Sequence, residues 1–449
     1  MRRIVDYLLQ GRQLSGWQLS IVGITLAAMV VDGLDIQLLA LVAPVILLEW
    51  QVDRASFGPA MAAALVGMSI GASCGGWMGD KYGRKMVLTL ATIAFGLATI
   101  GAAFADSVRE MTALRVAGGI GFGAAGPNAI ALATEWLPAS YRARVVSLLS
   151  IGTPLGGMIG AAVLVGLLPV LGWRGSFVLC GVLSLVIAVV MMVCLPESPD
   201  FLALRGSRQR AETTKRRASG GSWPFQPEVP AHETGVEPAA LPAGSVFSRT
   251  NRRLNAGAWL CFFCLAFVSY AFAAWTPVLL TGSGFTLPQA LQSSFSFNLS
   301  AVVAAIVSGM WVTRIGSRRL IGWSCLAIVA CVATIAFALQ SADAAPAAYI
   351  RWTVMFACGG AGAFAGGSTA AIYTVLAFGY PAACRAAGVG MGMMMGRAGG
   401  IASTYSGGSL LSLAGNSTLP FFAILALCAV FALGGALVID RHILPRRSG

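Results

Sequence analysis

The sequence predicts an all-α membrane protein, with twelve transmembrane helices in two pseudo-symmetric six-helix bundles. Three observations lead there. Of the 449 residues, 57% are hydrophobic and only 10% charged, against about 25% charged in ordinary soluble domains. The apolar residues gather in runs of the length, about 20 residues, that a helix needs to cross a hydrocarbon core of about 30 Å. Motifs of the first half of the chain also return in the second.

Six runs lie near 17–48, 55–78, 86–105, 110–136, 145–170 and 175–195. Six more lie near 256–280, 288–312, 320–340, 349–378, 387–412 and 418–438. Between them, 196–255 is basic and contains Pro, Gly, Ser and Glu, with little to bury. It is expected to be a largely disordered linker joining an N-terminal bundle, 1–195, to a C-terminal bundle, 256–449. The start, MRRIVDYLLQGRQLSGW, has a basic end but no short apolar core followed by a small-residue cleavage site, so it reads as a retained tail.

In a soluble protein the net charge of +13 would point to nucleic acid; here the placement of the bases decides instead. If the N-terminus is cytoplasmic, 24 of the 30 Lys and Arg residues fall in inner loops and tails, and only Arg54, Arg109, Arg174 and Arg351 in outer loops. The positive-inside rule then puts both termini in the cytoplasm of a multi-pass protein of the cell inner membrane. Bilayer lipid is the expected surround, with no nucleic-acid partner, and the protein is expected to act as a monomer. The ten cysteines lie mostly in apolar spans, which argues against a disulfide framework. Cys261 and Cys264 form a CxxC, read as packing because no partner cysteines or histidines stand near; no metal or cofactor site is expected.

GWMGDKYGRK at 76–85 aligns with GMWVTRIGSR at 309–318, and Pro138 and Arg142 recur as Pro381 and Arg385. A duplication related by an axis along the membrane normal is a plan of secondary transporters. GWMGDKYGRK also matches, at every fixed position, the loop motif of the major facilitator superfamily, G-x-x-x-D-[RK]-x-G-R-[RK]. In the second copy Thr313 and Ser317 replace the acid and the arginine, so that loop should keep its shape and lose part of a charge switch. DGLD in the first helix, LRVAGGIGFGAAGPNAIALATEWLPASYRAR at 114–144, WTP at 275–277 and YPAACRAAGVGMGMMMGRAGGI at 380–401 together resemble the aromatic acid:proton symporter family. The resemblance implies the major facilitator fold, a transporter rather than an enzyme, and an organic acid and protons as cargo. It also implies that Asp80 helps hold the outward-open state, with Arg84 in the same switch.

Four charges lie inside spans: Asp32, Asp35, Arg115 and Arg397. Each costs at least about 2.5–3.5 kcal/mol on insertion scales, so they call for a reason. Asp32 and Asp35, at i and i+3, share a face, and Arg115 enters from the other side at a similar depth. One reading is an ion-pair cluster that fixes packing. The other is proton coupling, because two adjacent carboxylates do not readily ionise together. The two histidines, His232 and His442, lie in the linker and the tail, so coupling must rest on carboxylates. Arg397 has no acid in the C-terminal spans, and a guanidinium suits a carboxylate, which makes it the expected substrate clamp. Its alternative partners are helix carbonyls.

Gly396, Gly399 and Gly400 would leave room for a ligand. Tyr270, Trp275, Phe295, Asn298 and Phe364 are candidates for the substrate walls, against a plain packing role. Glu135 is expected to form gating salt bridges with Arg142 or Arg144, and Arg385 to gate at the second copy. GFGAAG at 121–126 is a literal GxGxxG, but it lies inside an apolar helix and not at a strand-to-helix turn, so a dinucleotide site is not expected. GTPLGG at 152–157 resembles an antiporter signature with Thr153 in place of glycine. A drug efflux antiporter or a sugar porter of the same fold therefore stands beside the expected import of a benzoate-like acid by alternating access.

Overall fold

The computed structural model describes residues 15–204, 246–340, 346–381, 384–412 and 418–443. Its N-terminal half holds α1 (Gly16–Trp50), α2 (Arg54–Tyr82), α3 (Arg84–Ala102), α4 (Val108–Glu135), α5 (Ala139–Cys194) and the short α6 (Pro199–Leu204). The C-terminal half holds α7 (Arg252–Gly282), α8 (Leu287–Ile315), α9 (Ser317–Gln340), α10 (Ala348–Gly379), α11 (Arg385–Ser412) and α12 (Leu419–Val438).

Ten helices among the described residues are long and apolar enough to cross a bilayer. One of them, α5, crosses twice, because Gly172 (φ 64°) breaks it where the sequence separates the fifth and sixth runs. The glycine-rich α11, diluted by Arg397, is less apolar than the ten and completes twelve crossings. The even count puts Gly16 and Val438 on one side, called here the terminal side; the opposite is the far side.

Local sequence sets the helix ends. Ser15 and Gln18 form a capping box on α1, Thr286 and Gln289 another on α8, and Asp53 caps α2 by accepting from the Ala55 N–H at 2.7 Å. Gly83 (φ 106°) and Gly316 (φ 87°) turn the chain after α2 and α8, so both copies of the loop motif keep the same shape.

Each half repeats one packing scheme. In the first, α2 lies on α4 and α1 on α5; in the second, α8 lies on α10 and α7 on α11. The glycine stripe of α2 makes its contact possible, since a Cβ at Gly67 or Gly71 would run into the backbone of Val116 or Ile120. The halves meet along α2–α11, α5–α8 and α1–α7.

The linker is shorter than expected. Residues 196–204 dock on the N-terminal half, where Glu197 accepts from the Lys85 N–H at 2.9 Å. At the other end Val246 is buried, and its carbonyl accepts from the Asn255 amide at 2.8 Å. Residues 205–245, with His232, lie outside the described residues.

Candidate functional site

Asp32 and Asp35 project from α1 into the N-terminal half, where they and Arg115 of α4 are 1%, 1% and 4% exposed. Arg115 Nη1 donates to Asp35 Oδ2 at 2.6 Å, and Nη2 to the Asp35 carbonyl at 2.9 Å. The guanidinium sits 5.9 Å from the Phe177 ring centroid. Gly33, between the two acids, lets α5 approach, because a Cβ there would strike the Thr153 backbone. Asp32 Oδ2, Asp35 Oδ1 and Arg115 Nε have no hydrogen-bond partner among the described residues. The three groups are therefore unequal: Asp35 has a counter-charge and Asp32 has none among the described residues.

Arg397, on α11 in the other half, is half-buried and makes no hydrogen bond or ion pair among the described residues. Its charge reaches the phenols of Tyr270 on α7 and Tyr373 on α10. Tyr373 stands edge-on to Phe262, with centroids 4.8 Å apart. The Arg397 charge is thus felt at the phenols of Tyr270 and Tyr373, and Tyr373 stands against Phe262, a charged and aromatic setting of the kind that fits a flat anion. Tyr270 also packs, with Ile36 and Ile401, against Leu65, Met68, Phe95 and Phe122 of the first half.

Several expected roles change. Gly396, Gly399 and Gly400 leave no empty room: Cβ atoms there would meet Phe262, the Phe263 backbone and the Tyr270 ring. They let α7 close on α11 and lay the rings beside Arg397. Trp275 is fully buried, and its indole N–H donates to the Thr404 carbonyl at 3.1 Å, so it fastens α7 to α11 and lines no site. Phe295 packs against the main core. Phe364 is 39% exposed, and nine residues from Tyr373 it sits about 180° around α10, away from the Arg397 side.

Asn298 is buried and taken. Its amide exchanges two hydrogen bonds with Gln37 of α1, both 3.0 Å, and donates to the Ser294 carbonyl at 2.9 Å. Sequence reasoning missed Gln37, Phe262 and Tyr373. Gln37, a polar residue two places after Asp35 in an apolar run, was the one visible signal among them.

On the terminal side Glu135 pairs with Arg84, not with Arg142 or Arg144, and accepts from the Ser198 hydroxyl. Arg84 also reaches Asp80 at 3.1 Å. The reason is topological: the turn at Gly83 delivers Arg84 to the end of α4, while Arg142 folds back so that its Nε donates to the Leu137 carbonyl at 3.2 Å. Arg144 lies over the Tyr141 ring, 5.6 Å from its centroid. Arg385 repeats the geometry of Arg142, with Nε donating to the Tyr380 carbonyl at 3.4 Å. Every element of the Asp80–Arg84–Glu135–Ser198 network belongs to the first half, so it braces that half and does not bridge the two.

The halves touch on the far side. The Ser412 hydroxyl donates to Asp53 at 3.3 Å, and Cβ atoms at Gly58 and Gly408 would run into the Tyr405 and Arg54 backbones. The Ala55 N–H, with Ser56 and Ser412 adding, holds the Asp53 carboxyl below the usual range. An apolar cleft between Leu164 and Leu168 of α5 and Leu287 and Leu291 of α8 lies at the same end. Toward the terminal ends of the same helices that touch here, α2 and α11, Gly76 and Gly390 face open space.

Residues 25–404 match the family model described as Major Facilitator Superfamily. The chain belongs to that superfamily. Among its relatives, the 4-hydroxybenzoate transporter PcaK of Pseudomonas aeruginosa is 32% identical over 439 residues, covering 96% of this chain and 95% of that one. The gallate transporter of Pseudomonas putida is 29% identical, covering 97% and 94%. A crystal structure of a D-xylose-proton symporter superposes with a TM-score of 0.70 at 16% identity, over 96% of this chain and 99% of that one. The relatives agree with the aromatic-acid resemblance of the sequence, and the superfamily fold accounts for the repeated packing of the two halves.

Proposed function

We propose that this chain imports an aromatic carboxylate of the benzoate or hydroxybenzoate kind together with protons, across the cell inner membrane, by alternating access. The observation that carries this reading is Arg397, a guanidinium without a counter-ion among the described residues, whose charge acts on the phenols of Tyr270 and Tyr373. Relatives named for 4-hydroxybenzoate and gallate agree with that chemistry.

In the proposed cycle the substrate carboxylate docks on Arg397 and its ring lies against the aromatic side chains. Arg115 already neutralises Asp35, so Asp32 is the acid that takes the proton before the halves rock. Rocking with both charges cancelled avoids carrying bare ions past apolar walls. The positive-inside rule supports reading the terminal side, where the basic loops lie, as cytoplasmic. Contacts between the halves at the far side, Asp53 with Ser412 and α5 with α8, support reading this as the form that releases cargo inward.

The test is uptake of labelled 4-hydroxybenzoate into proteoliposomes with an alkaline interior. Accumulation above the outside concentration that a protonophore collapses is expected. Uptake indifferent to the pH gradient would remove the proton, and no binding or uptake of any aromatic acid would remove the substrate class.

A further inference from the structure

Asn298 is a polar side chain on α8, 3% exposed, and its partner, Gln37 on α1, belongs to the opposite half. The two amides form a closed ring of reciprocal hydrogen bonds, each 3.0 Å. Gln37 is fixed from behind as well, since a side chain at Gly157 of α5 would occupy its place. The pair stands a few residues to the far side of the midpoints of α1 and α8, deeper than the contact of Asp53 with Ser412 at the helix ends.

The carbonyl of Asp35, two residues before Gln37, accepts from Arg115 Nη2 at 2.9 Å, and the intervening Ile36 carbonyl lies 3.5 Å from the same nitrogen. Three consecutive residues of α1 are therefore held at once, two by the buried cation of the first half and one by the second half.

We infer that the Gln37–Asn298 amide ring is the lock of the far-closed state, and that Gln37 is a positioning residue through which this lock bears on Asp35 and Arg115. The inference rests on the alternating-access reading. Neutral amides suit the task. Inside the closed interface they satisfy each other, and on opening both meet water, so the lock releases without stranding a charge. Two net hydrogen bonds are enough to shift a two-state equilibrium by roughly tenfold.

The test places spin labels at the exposed far-side positions Phe104→Cys and Ala347→Cys, in a Cys74→Ser/Cys194→Ser background, in the full-length protein. Gln37→Ala and Asn298→Ala should each raise the ratio of long to short distances about tenfold. The exchange Gln37→Asn/Asn298→Gln, which keeps two facing amides of the same summed length, should restore the short distance. The single variants should also lower proton-driven accumulation of 4-hydroxybenzoate about tenfold while counterflow continues. Unchanged distances in both single variants, or no restoration by the exchange, would overturn the lock. Accumulation unaffected by Gln37→Ala would overturn its link to Asp35. A wild-type protein that moves no aromatic acid yet shows the distance shift would sink the proposed substrate and leave the lock standing.

Discussion

Asp32 and Arg397 are the two buried or half-buried span charges that make no ion pair among the described residues, and they lie in opposite halves. For Asp32 the expected consequence is separable kinetics. Asp32→Asn imitates the protonated acid, so counterflow of 4-hydroxybenzoate should continue while proton-driven accumulation falls at least about tenfold; full accumulation in that variant would pass the role to another group. For Arg397 the geometry of the donor matters more than the charge. Arg397→Lys keeps the cation but loses the paired N–H face, and about 1.5 kcal/mol of lost hydrogen bonding corresponds to a KM raised roughly tenfold, measurable by initial rates. These charges were legible in the sequence because each is costly in an apolar run. Phe262 and Tyr373 were not, since an aromatic ring in a membrane helix has the same composition signal whether it faces lipid, core or site.

Helix identity and the shape of the duplicated loop were also legible: the motif glycines at 83 and 316 turn the chain at helix ends in the structure. What the glycines at 396, 399 and 400 make room for was not, because a missing side chain leaves space that a ligand or a neighbouring helix can fill. The duplicated loop shows a related limit. Where the first copy joins Arg84 to acids, the second joins Ser317 to the tail, with its Oγ 3.0 Å from His442 Nδ1 and its N–H donating to the Ile443 carbonyl at 3.0 Å. The other ring nitrogen of His442 lies 2.8 Å from the Ala436 carbonyl and donates to it. Burial, helped by Arg318 and opposed by the Ala436 bond and Asp440, holds the imidazole below its usual value of 6.5. The folded protein therefore binds fewer protons than the unfolded chain, so this contribution is full above 6.5 and is lost as pH falls from there through the depressed value. Melting temperature between pH 7.5 and 5.5 should fall less steeply for His442→Gln than for the wild type; parallel curves would mean that the tail contact carries none of the dependence.

Taken together, the far-side contacts of Asp53 with Ser412 and of α5 with α8 would have to part for Arg397 to be reached from that face, so on the alternating-access proposal Arg397 is expected to be reachable from the terminal side. The brace of Arg84 and Glu135 stays inside one half and so moves with it, whereas the cross-half contacts of Gln37, Tyr270 and Asp53, with the close helix approaches at Gly58 and Gly408, would have to break for the other face to open. Met393, one helical turn toward the terminal side from Arg397 and on the same face of α11, is 36% exposed and is the position that tests this expectation. A Met393→Cys variant, with Cys74 and Cys194 replaced by serine, should react with a membrane-impermeant thiol reagent at least about tenfold faster from the terminal side than from the far side. Saturating 4-hydroxybenzoate should slow the reaction, because a ligand on Arg397 stands in the path. Adding Asn298→Ala should raise the far-side rate selectively, since that variant weakens closure without touching α11. Equal rates from both faces in the starting variant would show that the far-side contacts do not seal the path, and the division of the cycle into two closed forms would fail with them.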